Sequence, residues 1–174
     1  ETIWQYAWKT RQYRALQPLV VGSSILLASS LGEGSRRITV TRSEDGTWAM
    51  VEDWSSRGMK SDFNDFVYFD GSVYGFDGSI FASIDYQSGS RQWKGGRYGN
   101  GQVLLLEESG QLLITSESGE IALVEASLDR LVERARFQAI EGKTWNHSVL
   151  IGDRLYVRNA QEAACFRMPR QESR

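Results

Sequence analysis

Residues 65–93 read DFVYFDGSVYGFDGSIFASIDYQSGSRQW. Three Gly-containing turns, at 70–71, 77–78 and 88–90, cut this stretch into four short runs rich in Val, Ile, Phe and Tyr. Such runs, joined by tight polar turns, predict antiparallel strands and hairpins. The strands fall at 66–69, 72–76, 80–85 and 90–93, which makes one small four-stranded sheet. Gly89 suits a turn position that needs a positive φ. Trp93 is long enough to reach a neighbouring sheet, and its indole N–H can find a backbone acceptor there.

Working outward, the inner hairpin recurs three more times: PLVVGSSILLAS (18–29), QVLLLEESGQLLIT (102–115) and HSVLIGDRLYVR (147–158). With Ile25, Val73, Leu112 and Leu155 as markers, the spacings are 48, 39 and 43 residues. Helical periodicity is nearly absent. A period of this size in an all-β chain predicts a β-propeller of four-stranded antiparallel blades. The repeats run over about 14–53, 62–95, 100–138 and 146–168. The first takes 36–42 and 46–52 as its outer pair, and the third reads as strands at 102–106, 111–115, 120–125 and 131–138. The fourth stops after about three strands at 162–168, followed by a frayed tail, MPRQESR. WQYAW (4–8) is expected to supply an outer strand, either to the last blade or to one lying upstream. About four blades are present, and the expectation is that they belong to a larger ring of about eight.

The totals exclude several function classes. The chain has 174 residues, 24% of them charged and 11% aromatic, with a net charge of −2. That is a globular composition, and the balance gives no basic patch for a nucleic acid or an anionic membrane. No apolar run reaches the ~20 residues of a membrane span. The single cysteine, Cys165, cannot form an internal disulfide and sits among apolar neighbours, as a small core residue would. The chain opens at ETIW without a start Met or signal segment, which reads as a piece of a longer, processed parent.

Catalytic motifs are missing. The one histidine, His147, has no HExxH or cysteine pair to make a metal site, and GxSxG and GxGxxG are absent. The acids of EESGQ (107–111) and SESGE (116–120), and the pair Asp62 and Asp65, read as solvated turn residues. No catalytic residue and no metal ligand is assigned. Repeat symmetry does single out one feature. The loops leading into the innermost strands, ALQP (15–18), SDFND (61–65), RYGNGQ (97–102) and KTWNHS (143–148), should emerge on one face around the axis. They carry Asn64, Asn100 and Asn146, with Phe63, Tyr98 and Trp145 nearby. Together with Gln102, Trp145, His147 and Arg57, the three Asn form the candidate site for a small polar ligand such as a sugar. The competing reading is that the Asn side chains cap their own turns.

The spacing Asp85-x-x-x-Gly89-x-x-x-Trp93 resembles the blade motif of pyrroloquinoline-quinone-like propeller repeats. The stretches 54–65, 64–102, 118–126 and 142–166 are similar to the C-terminal half of bacterial proteins of that family. In the third repeat, 123–133 keeps an acid at Glu125 but has no Trp. The resemblance implies an exported protein, periplasmic or secreted. It also implies a choice of functions. The first is a non-catalytic binding or scaffold module for a protein or small polar ligand, as in the propeller that helps assemble outer-membrane barrels. The alternative is a quinone-dependent dehydrogenase. In those enzymes the quinone is held by an adjacent Cys–Cys ring, a stacked Trp, and a calcium ion bound by acids and an Asn. This chain has one Cys and no DxDxDG loop, so quinone and calcium are expected only if other parts of a parent supply the site. The other half of the propeller, or a self-associated copy, is a further expected partner.

Overall fold

The computed structural model describes residues 1–9, 15–29 and 33–169. Arg14 at the start of the first repeat and the tail beyond Pro169 lie outside the described residues. The described residues form fifteen strands in four antiparallel sheets that follow one another in sequence. The first sheet holds β1 (Leu19–Val21), β2 (Ser24–Ser29), β3 (Gly34–Arg42) and β4 (Trp48–Ser56). The second holds β5 (Val67–Phe69), β6 (Ser72–Asp77), β7 (Ile80–Asp85) and β8 (Arg91–Arg97). The third holds β9 (Gln102–Leu106), β10 (Gln111–Thr115), β11 (Glu120–Glu125) and β12 (Glu133–Gln138). The fourth has three strands, β13 (Val149–Ile151), β14 (Arg154–Arg158) and β15 (Ala163–Arg167). A 3-10 turn, Glu107–Ser109, closes the β9–β10 hairpin.

Each sheet is a meander of neighbours, so its strands alternate in side-chain direction and give it two faces. The four markers occupy one register position: Ile25 pairs with Val20, Val73 with Tyr68, Leu112 with Leu105 and Leu155 with Leu150. Val73, Leu112 and Leu155 are fully buried, each facing the sheet before it. The residues that follow the first three markers, Leu26, Tyr74 and Leu113, face the sheet after. Three apolar seams result. Leu26, Met59, Phe66, Val73 and Ile84 seal the first. Tyr74, Phe81, Trp93, Leu112 and Val124 seal the second. Leu113, Ile121, Leu155 and Val157 seal the third. Burying each large apolar side chain contributes roughly 1.5–3 kcal/mol.

Tryptophan locks the first two seams. Trp93 donates its indole N–H to the carbonyl of Ser127 in the β11–β12 connection of the third blade, 2.8 Å away. Trp54 is its register equivalent and donates to Tyr86 O at 3.0 Å in the β7–β8 turn of the second blade. A β-bulge falls just before each of them, between Arg37 and Ile38 opposite β4 and between Ser83 and Ile84 opposite β8. A bulge re-aims the next side chain, here toward the following sheet. The third outer strand bulges at the same position but carries Ala135 there. At that seam Phe137 stands edge-on to Phe166, with centroids 5.2 Å apart. Gly89 has φ +69°, and a Cβ would come within 2.7 Å of the Trp54 ring. The turn glycine is thus required twice, by its own backbone and by the tryptophan lying over it.

Three sequence expectations are corrected. The outer strand of the first sheet runs to Ser56, past the expected end at 52, because Trp54 belongs to it. Cys165 is exposed rather than part of the core, since strand alternation puts it on a face of the fourth sheet that no described residues cover. Residues 4–8 join no sheet and pack on the first one, so of the two expectations for WQYAW the strand added to the last blade is corrected, and the strand of an upstream blade is untouched. Trp4, Tyr6 and Trp8 turn inward and line a cleft with Val20, Ile25 and Leu27, and Arg36 stacks on Trp8 with its guanidinium carbon 4.7 Å from the ring centroid.

Replacing Trp93 with Phe keeps most of the ring contact and removes the donor to Ser127. We expect the variant to lose about 1–2 kcal/mol in equilibrium urea unfolding. A cost indistinguishable from zero would show that the N–H bond does not hold the seam.

Candidate functional site

The four incoming loops do meet, and a relay of hydrogen bonds ties each to the next. The backbone N–H of Gln17 donates to Asp65 Oδ1 at 3.4 Å. The N–H of Asp65 donates to Gln102 Oε1 at 3.2 Å, and Gln102 Nε2 donates to Trp145 O at 3.1 Å. Asn64 adds a parallel tie, donating from Nδ2 to Gly101 O at 2.7 Å while its Oδ1 accepts from Asp62 N. Asn64 and Gln102 are both buried. They hold the loops together from beneath and do not reach the surface, much as the turn-capping alternative supposed, although their partners lie partly in neighbouring loops.

The outer layer of the same face is aromatic and charged. Phe63 and Trp145 stand edge-to-face with centroids 5.2 Å apart, joining the second loop to the fourth. His147 Nε2 lies 3.2 Å from Asp65 Oδ2, a second tie between those loops. Contacts that skip the third loop place this cluster where the loops converge, close to the axis of the arc. Trp145 is 44% exposed. Its indole N–H donates to Glu117 Oε1 at 2.9 Å, and the Lys143 ammonium sits 4.8 Å from its ring centroid. The N–H of Asn100 and the Trp145 indole hold the Glu117 carboxyl below the usual carboxylate range. The result is an exposed indole fixed in orientation, with Glu117 and Lys143 on its flanks.

The remaining sequence candidates scatter. Asn100 enters through its backbone, which donates to Glu117 Oε2. Asn146 is half-buried beside Trp145. Tyr98 is buried in the second seam, where its hydroxyl donates to Glu133 Oε2 at 2.6 Å. Burial, helped by the Glu133 charge, pushes that hydroxyl well above its ordinary value. Arg57 sits apart at the end of the outer strand of the first sheet, its carbonyl accepting from Lys60 Nζ. Sequence reading missed Asp65 as a hub and passed over Glu117 and Lys143. The only signal for them was their position in or beside the symmetric loops.

No metal-ligating group of three or more His, Cys, Asp or Glu residues stands among the described residues. The donor set in this chain does not fit quinone with calcium. Its one cysteine is exposed on β15, so no adjacent disulfide can form. Glu120 is committed to Arg136, and Glu117 to Asn100 and Trp145. No described helix is long and apolar enough to cross a membrane.

No protein-family profile matches the chain, and no curated protein matches it. Its structure is similar to the crystal structure of BamB from Moraxella catarrhalis, with a TM-score of 0.64 at 14% identity over 92% of this chain. The fold is that of a β-propeller. The match covers 46% of the BamB chain, so this chain spans about half the length of that structure. The propeller arc is open among the described residues: three seams join four blades, and Val20 on the first and Ile151 on the last stay about two-thirds exposed.

One buried charge steadies the rim of the loop face. The Asp77 carboxylate is almost fully enclosed and is met by Lys60, by Arg91 at 2.7 Å and by Lys94 at 2.6 Å. Burial works against its ionisation, but Lys60 and Lys94 outweigh it and hold the carboxyl below its ordinary value. The stabilisation is full above the unfolded-chain value of about 3.9 and is lost as pH falls through the lower folded value. Asp77→Asn leaves three cations without their anion, and we expect it to cost about 2 kcal/mol at neutral pH. Urea titrations at successively lower pH should show the gap from the native chain closing. A gap that is constant through the acid range would mean that the charge of Asp77 is immaterial.

Proposed function

We propose that this chain is a non-catalytic binding module of the quinoprotein-like propeller type, acting in the periplasm or outside the cell. Its ligand is an extended protein segment laid across the incoming-loop face. The observation that carries the reading is Trp145, a large indole left 44% exposed yet pinned by Phe63, Glu117 and Lys143. Fixed aromatic anchors ringed by charge are the residues that dominate protein interfaces. The buried relay through Asn64 and Gln102 holds the platform in place before a partner arrives, which lowers the ordering cost of binding.

The blade type is supported by the resemblance of 84–93 to the family motif. It is also supported by the use of Trp54 and Trp93 as forward locks between blades. Export is supported by the same resemblance. A small polar ligand is the second reading, favoured by Asn146 and His147 standing beside the indole. A quinone-dependent activity finds no support in these residues.

A random peptide library panned against the chain tests the first reading. Enriched peptides should bind Trp145→Ala at least about tenfold more weakly, and should bind a variant on the far side of the arc, such as Ala49→Ser, as before. A thermal-shift panel of sugars tests the second. Peptides indifferent to Trp145→Ala would remove the loop face as the binding surface.

A further inference from the structure

The cations around the second blade are scattered in the sequence, yet the fold gathers them. Lys60 comes from the connection between the first two sheets, and Arg91 and Lys94 come from β8. All three pair with the Asp77 carboxylate, buried at the end of β6. One buried carboxylate is neutralised by one cation, whereas here three positive charges meet one negative charge. The extra cations repel one another and give up side-chain freedom. Asp77 therefore accounts for where they stand but not for how many there are. Their side chains remain 28–37% exposed. Their heads are fixed from other sides too, with Arg91 Nε donating to Gly58 O at 2.9 Å and Lys60 Nζ to Arg57 O at 3.3 Å. An ammonium has three N–H groups and a guanidinium five, so each cation keeps donors beyond these bonds. Arg57 is itself exposed in the same connection. The cluster lies between the first and second sheets, both of which are present.

This cluster adjoins the aromatic platform. Ser61, next after Lys60, donates its hydroxyl to Phe76 O beside Asp77 at 3.1 Å. Phe63, two residues further on, is the ring that stands against Trp145. Three residues of chain span at most ~10 Å, so an extended ligand that crosses the indole reaches the cations within a few residues. Two acids along this path are already engaged, Asp65 by His147 and the N–H of Gln17, and Glu117 by the indole and the N–H of Asn100. Beside the indole, Glu117 faces Lys143 charge for charge. At the other end Arg57, Lys60, Arg91 and Lys94 outnumber Asp62 and Asp77. The path is apolar and balanced at one end and positive at the other.

We infer that the protein segment bound across the loop face is acidic at one end, with its carboxylates on Arg57, Lys60, Arg91 and Lys94 and its apolar side chains on Trp145. This rests on the loop-face reading and adds the chemistry of the partner and the direction in which it lies. Cations already held in place by Asp77 and by backbone carbonyls complement an incoming carboxylate with little further ordering.

Peptides enriched from a random library on the native chain should carry more Asp and Glu than the unselected library. The acids should stand on one side of an apolar residue, within about six residues of it. Affinity should fall as salt is raised. Arg57→Gln and Lys94→Gln should each weaken binding roughly fivefold, and Lys94→Gln still leaves Asp77 two cations. Arg57→Lys, which keeps the charge, should bind as the native chain does. Circular dichroism checks that each variant is folded. Enriched peptides that need Trp145 but show no excess of acids, or that bind both Gln variants as tightly as the native chain, would overturn this inference and leave the loop-face reading standing. Acidic peptides that need Arg57 and Lys94 but not Trp145 would overturn the loop-face reading and keep the rim as an acid-binding surface. No enrichment at all would overturn both.

Discussion

Everything in this molecule depends on strands that bury both of their faces. In β6, Val73 points back to the first sheet and Tyr74 forward to the third, and neither touches water. A sheet with two apolar faces cannot end in solvent on either side without a cost. The answer here is to stack such sheets face to face, each serving as the cover of the next. Stability in such an array comes from contacts between nearest neighbours, so the seams matter more than any single sheet. The first two are sealed by aromatic rings and by a tryptophan passed forward from each outer strand. The third lacks that tryptophan, uses Ala135 and Phe137 in its place, and is the thinner of the three.

The seams also explain why exposed aromatic and charged groups collect on one side of the arc. Strand interiors are committed to packing, so variable chemistry is left to the connections. The loops that lead into the innermost strands are brought together because β1, β5 and β9 are themselves close. Asp65, Gln102 and Trp145 O convert that proximity into a fixed platform. An aromatic pair, a histidine–aspartate contact and a lysine above an indole are then displayed with little freedom to move.

The propeller architecture was legible in the sequence because its signals are local and repeated. Polar turns at regular distances mark hairpins, and the markers Ile25, Val73, Leu112 and Leu155 fell on one register position. The forward reach of Trp93 was legible for the same reason, since a long ring at a strand end has few places to go. The bulges were not, because an extra residue in an outer strand leaves no trace in composition, and Trp54 was consequently left outside its strand. Cys165 misled because apolar neighbours do not reveal whether a further sheet covers them. The sequence picked out loops that do lie together, but favoured their amides. Asn64 and Gln102 turned out to be internal ties, while Asp65, set aside as one of two solvated acids, is the junction where all four loops meet. Which polar group faces inward depends on the angle between blades, and that is set by packing far along the chain.

The relay beneath the loops has a consequence for how such a protein can change. A substitution at Trp145 or Lys143 acts mainly on what the platform presents, because the relay underneath uses the backbone carbonyl of Trp145 and not its side chain. A substitution at Gln102 acts otherwise. Its amide receives the backbone of one blade's loop and grips the carbonyl of another's, so its loss would loosen the floor on which every displayed group stands. The top layer is therefore free to vary, while the layer below is bound to stay as it is.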